Sequence, residues 1–87
     1  MGTLSKLPNI GKVVEEQLNA VGITEYEQLK ALGSREAWLR IQSIDVSACI
    51  HRLMGLEGAI LGVRKTELPA EIKAELKAFY NAHKLGV

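Results

Sequence analysis

Two residues carry most of the reactive chemistry in this 87-residue sequence, Cys49 and His51. A thiol beside an imidazole is the pairing that generates a thiolate nucleophile. Two positions apart on a helix, however, the side chains point about 200° apart. The pair is not assembled, and Cys49 reads as a small buried hydrophobe. Metal binding fares no better. Neither His51 nor His83 has a second histidine one helical turn away, the spacing that a helix-borne metal pair needs. A single cysteine also excludes a multi-cysteine zinc site and an intrachain disulfide. The acidic residues are scattered over helix surfaces, so no general acid–base pair stands out. The Gly-x-x-x-x-Gly-Lys-Ser/Thr pattern that cradles phosphates is missing. The sequence predicts a protein without catalytic residues, cofactor or metal.

The most informative segment is Leu4-Ser5-Lys6-Leu7-Pro8-Asn9-Ile10-Gly11-Lys12-Val13-Val14. Leucines precede a tight turn, Ile10 anchors the turn to the core, and Gly11 opens a helix. The segment resembles the helix-hairpin-helix motif, whose usual form reads Leu-Pro-Gly-Ile-Gly ahead of an amphipathic helix. The resemblance implies that backbone amides around the turn meet nucleic-acid phosphates, here at Asn9, Ile10, Gly11 and Lys12. A helix start is positively polarised and attracts anions whatever the base sequence.

The segment departs from the motif in three places. Asn9 replaces the first glycine; asparagine tolerates positive φ, but its side chain can crowd a phosphate. Glu15 stands where the motif packs a small alanine. The stretch ahead of the turn, Thr3 to Leu7, is barely more than one helical turn. Residues 1 to 33 carry three lysines and four glutamates, so phosphate binding there would be weak and would fall as salt rises. The competing reading is a compact corner that packs helices.

Composition sets the frame for these candidates. Eleven basic and ten acidic residues leave a formal net charge of +1, which disfavours a strongly cationic nucleic-acid binder. With 47% hydrophobic residues the chain can bury a core, read as one domain over residues 1–87 with its core at about 4–83. No stretch reaches the roughly 20 apolar residues of a membrane span. The start lacks the charged-then-apolar layout of a signal peptide, and Met1-Gly2 is not followed by Ser or Thr at Lys6 as a myristoylation start would be. One cysteine suits a reducing compartment. The expected location is the cytoplasm.

Five helices and no strand are predicted. Ile10, Val13, Val14, Leu18 and Val21 recur at helical steps, placing a first helix at about Gly11 to Val21, closed by Gly22. Thr24 with Glu27 reads as a capping box for a second helix that buries Leu29 and Leu32 and stops at Gly33. Ser34 caps a third through about Gln42, packing Ala37, Trp38 and Ile41. A fourth runs from about Val46 to Leu61, capped by Ser43 or Asp45 and ended by Gly62. After a loop from Arg64 to Leu68, Pro69 opens a fifth helix that reaches about His83 and buries Ile72, Leu76, Phe79 and Tyr80. The fold class is a compact all-α bundle.

The fourth helix is apolar around most of its circumference and belongs at the centre. Val46, Ile50, Leu53, Ile60 and Leu61 share one face with Glu57, whose role is read as structural, at another helix's start. Ala48, Gly55, Ala59 and Gly62 lie opposite, with His51, Arg52 and Gly58 at the margins. Small residues let a second helix come close, either within the domain or across a homodimer seam. His51, Arg52, Gly55, Gly58 and Gly62 are therefore candidates for partner binding or close helix packing. Residues 34 to 65 are the basic third of the chain, with five positive charges against three negative.

Leu7 to Gly22, Leu29-Lys30-Ala31-Leu32-Gly33, the run Leu56-Glu57-Gly58-Ala59-Ile60-Leu61-Gly62-Val63 and then Leu68-Pro69 together carry a wider likeness. They resemble the C-terminal domain of the TfoX/Sxy family, over roughly Leu4 to Phe79. That family's proteins regulate natural competence in bacteria, and many carry a separate N-terminal domain. The resemblance implies an all-α bundle with a helix-hairpin-helix-like element and no known catalysis. The expected role is a regulatory module that binds an unidentified protein partner; the alternative is weak DNA-backbone binding through the hairpin turn.

Overall fold

Apolar residues at three- and four-residue steps wind the chain into helices, and the computed structural model describes residues 4–84. Those residues form α1 (Lys12–Ala20), α2 (Tyr26–Leu32), α3 (Ser34–Ile44), α4 (Ile50–Leu61) and α5 (Ala70–His83). Short 3-10 turns lie at Leu4–Lys6 and Lys65–Glu67. No strand occurs among the described residues, and the architecture is an all-α bundle. Thr3, Met1 and Gly2 lie outside them.

α4 occupies the middle, touching α2, α3, α5 and the Lys65–Glu67 turn. Leu53 and Leu56 of α4 pack with Leu4, Leu18, Leu29, Trp38, Ile41 and Leu76, all of them fully buried. Each such burial contributes about 1.5–3 kcal/mol before entropy is counted. Phe79 and Tyr80 of α5 meet the Trp38 ring edge-on, with centroids 6.2 and 5.6 Å away.

α1 and α4 end in the same way. The Ile23 N–H donates to the Leu18 carbonyl (2.8 Å) and the Gly22 N–H to that of Asn19 (3.1 Å). After α4 the Val63 N–H donates to Gly58 (2.9 Å) and the Gly62 N–H to Ala59 (3.3 Å). This closure needs one left-handed residue just past the helix, supplied by Gly22 (φ 89°) and Gly62 (φ 77°).

Several local expectations are corrected. The capping box of α2 is formed by Glu25 and Gln28, not Thr24 and Glu27. The Gln28 side-chain oxygen accepts the N–H groups of both Thr24 (2.7 Å) and Glu25 (3.0 Å). Ser34 opens α3 without capping it, and its hydroxyl donates to the Glu57 carboxylate at 2.6 Å. Glu57 thus meets the start of α3 through a side chain.

α4 begins at Ile50, four residues later than expected, because Asp45 diverts the chain. Its carboxylate accepts the Ser47 N–H (3.0 Å) while its carbonyl accepts the Ala48 N–H (3.0 Å). Such a local turn competes with helix formation. Val46 is consequently 63% exposed and Leu61 49%, so neither belongs to the buried face. In α5, Leu76 is buried, whereas Ile72, Phe79 and Tyr80 are half-buried against the core.

Candidate functional site

The site grows from the turn ahead of α1. Pro8 and Asn9 carry the chain from the first 3-10 turn into α1, and Asn9 takes φ 68°. Its side chain turns toward α4 and the connection beyond it. Its amide nitrogen donates to the carbonyls of Gly55 (3.3 Å) and Val63 (3.0 Å). Its amide oxygen accepts the Lys65 N–H (3.0 Å). One side chain thereby ties the turn to the middle of α4 and to the connection beyond it. Glu15, 9% exposed, holds the other side of the hairpin by accepting the Ser5 N–H at 3.1 Å.

The glycines of α4 make room for this arrangement. A Cβ on Gly58 would stand 2.5 Å from the Asn9 amide nitrogen and 2.7 Å from the Val63 carbonyl oxygen. One on Gly55 would lie 3.4 Å from the Asn9 Cβ. What comes close to Gly55 is the turn at Asn9, and what comes close to Gly58 is that same turn together with the Val63–Lys65 connection. A Cβ on Gly62 would meet nothing within 4 Å, and its positive φ closes α4.

Asn9 and Ile10 from the hairpin set, and His51, Arg52 and Gly55 from the α4 set, line one groove of about 230 Å³. Val14, Cys49, Leu56 and Lys65 complete its walls. Gly11 and Lys12 stand exposed at the start of α1, outside the groove lining. The volume is below the roughly 300–1,000 Å³ of pockets that enclose cofactors and substrates, but suffices for one or two side chains.

Arg52 is held by a ring of polar side chains. Its guanidinium donates to Gln17 (2.9 Å) and Asp45 (3.1 Å), and the Gln17 amide donates to the same Asp45 oxygen (2.9 Å). The Ser47 hydroxyl foremost, then the Gln17 amide and the Ser47 N–H, hold the Asp45 carboxyl well below the usual carboxylate range. Desolvation opposes this, and the Arg52 guanidinium makes the least of the lowering contributions. Among the described residues His51 and Lys65 make no such side-chain contact. The exposed residues Ile44 (54%) and Val46 (63%) flank Asp45, and Val13 (62%) stands one turn before Gln17 on α1.

Cys49 immediately precedes α4 and its thiol is half-buried and free. Among the described residues no three His, Cys, Asp or Glu side chains stand together in a way that could hold a metal ion. No helix there is long and apolar enough to cross a membrane. Sequence reasoning missed Val14, Cys49, Leu56 and Lys65 as groove residues, and Cys49, read as a buried hydrophobe, is only half-buried. Lys65 lies 55 positions from Ile10, and its approach depends on the Asn9 hydrogen bond, for which one sequence offers no signal.

Residues 1–80 match the family model described as the TfoX C-terminal domain. Protein Sxy of Escherichia coli (strain K12) is 36% identical over 73 residues, an alignment covering 84% of this chain and 35% of that protein. The chain thus spans about a third of that relative's length. Two crystal structures from Listeria monocytogenes share the fold. One, an uncharacterized protein in a triclinic form, has a TM-score of 0.90 at 48% identity, covering 91% of this chain and 90% of its own. The other, a protein of unknown function in a tetragonal form, gives 0.87 at 47% identity, covering 90% and 96%.

Proposed function

The chain belongs to the TfoX C-terminal domain family, and from that membership we propose a non-catalytic regulatory module that works by binding a protein partner. The family resemblance implies a part in the regulation of natural competence. One observation carries the reading: the hairpin turn and the start of α4 form a side-chain-sized groove in which the apolar residues Ile10, Val14 and Leu56 lie beside the polar residues His51, Arg52 and Lys65. Apolar side chains left at a polar rim are what protein partners bury. Co-purification of the tagged chain from its native cells, followed by mass spectrometry, tests it. A recurrent stoichiometric protein is the expected result; a monomer that returns alone at cellular concentration contradicts the reading.

A second reading, contact with a nucleic-acid backbone, is favoured by one feature of the turn. The first intrahelical donor of α1 is the Glu15 N–H, to the Gly11 carbonyl (3.0 Å). The amides of Lys12, Val13 and Val14 lie ahead of that ladder, and Gly11, Lys12 and Val13 are exposed. Fluorescence anisotropy with duplex and single-stranded DNA at about 50 mM salt, where phosphate contacts are strong, separates the two readings. Binding abolished by Gly11→Leu supports the backbone contact, and absence of binding removes it.

A further inference from the structure

We infer that the groove between the hairpin turn and α4 receives an acidic peptide segment bearing one apolar anchor, presented by a protein partner. The inference rests on the protein-partner reading and names the chemistry of that partner. The floor is apolar, made by Ile10, Val14, Leu56 and the bare backbone of Gly55. Its volume of about 230 Å³ accommodates one large apolar side chain and not a cofactor. The rim is basic: His51, Arg52 and Lys65 line the groove, and no aspartate or glutamate does.

These three basic groups are not equivalent. Arg52 is already engaged by Asp45 at 3.1 Å, which fixes its position and neutralises much of its charge. Lys65 is half-buried, its backbone N–H bonded to Asn9, and its ammonium has no partner among the described residues. His51 is exposed, and its ring offers an N–H donor in either protonation state. An unpaired ammonium and an unpaired imidazole beside an apolar floor match a carboxylate flanking an aliphatic or aromatic side chain. A basic segment would face like charge at the same rim, which costs affinity and thereby sets specificity.

Selection of a phage-displayed random 12-residue peptide library on the full chain tests this, with His51→Glu/Lys65→Glu selected in parallel. Both positions are at the surface or its edge, and circular dichroism checks that the variant stays folded. Wild type is expected to enrich peptides with Asp or Glu next to Leu, Ile, Phe or Met, with a tenfold or greater loss of affinity on the variant. Amide shift changes in a ¹⁵N spectrum should centre on Ile10, Val14, Gly55 and Lys65. Enrichment of basic or uncharged peptides overturns the inference, as does acidic-peptide binding that the variant retains. Shift changes at the same residues caused by duplex DNA and by no selected peptide also overturn it. If native co-purification still returns a partner with the double variant, the inference fails while the protein-partner reading stands.

Discussion

Asn9 and Gly58 compete for one space: a Cβ on Gly58 would stand 2.5 Å from the Asn9 side-chain nitrogen, with the Val63 carbonyl 2.7 Å away on another side. The hairpin turn and the central helix are therefore built to each other's measure. Gly58→Ala is expected to cost about 2 kcal/mol through overpacking, or roughly 10 °C in melting temperature for a domain of this size. Gly55→Ala, whose new methyl would meet the Asn9 Cβ at an ordinary 3.4 Å, should cost far less. Thermal melts of the two variants decide the matter; equal losses would contradict the close fit of Asn9 and Val63 against Gly58.

Asn9 itself does two jobs, holding positive φ and making three side-chain hydrogen bonds. Asn9→Gly keeps the backbone and loses the bonds, each worth about 1 kcal/mol. Asn9→Ala loses the bonds and adds roughly 1 kcal/mol or more of left-handed strain. The expected stability order in urea denaturation is wild type, then Asn9→Gly, then Asn9→Ala. An Asn9→Gly variant as stable as wild type would show that the three bonds contribute little.

The Asp45 carboxyl titrates below its ordinary value of 3.8 in the folded chain. A group depressed on folding adds stability above its unfolded pKa, and that contribution is lost as pH falls through the folded value. The stability difference between wild type and Asp45→Asn should therefore be full at pH 7 and shrink as pH drops below about 4. Urea midpoints of both proteins along an acid series measure it. A gap that stays constant to the lowest pH would contradict the hydrogen-bond ring around Asp45.

Gly11 and Gly62 both have open space around them but differ in backbone. Gly11, at φ −95°, can take a side chain without strain, so Gly11→Leu should stay within about 1 kcal/mol of wild type. Gly62, at φ 77°, should lose about 1 kcal/mol on substitution by alanine. Denaturation curves for the two variants also establish whether Gly11→Leu is a fair probe for DNA contact.

The bundle was legible because helix periodicity and punctuation are local. Leu18, Leu29, Trp38 and Leu53 announce buried faces within a turn or two of sequence, and Gly22, Gly33 and Gly62 mark ends that only a permissive backbone closes. The start of α4 was not legible, since Asp45 bonds Ser47 locally and Gln17 from 28 residues away, and that combination outweighs the apolar run beginning at Val46. The α2 cap was ambiguous because Thr24–Glu27 and Glu25–Gln28 have the same spacing. The groove was half legible. Its two walls were identified separately, from the hairpin turn and from the small residues of α4, but their meeting depends on Asn9 reaching Gly55 across 46 residues.

Photo-crosslinking inside native cells puts the docking role to its most direct trial. A benzophenone side chain at exposed Val13, the residue before groove-lining Val14, is compared with one at exposed Lys77 of α5. Position 13 should yield a discrete crosslinked protein that position 77 does not. Crosslinks of equal yield and identity from both positions, or none from position 13, would contradict a chain that works through this groove.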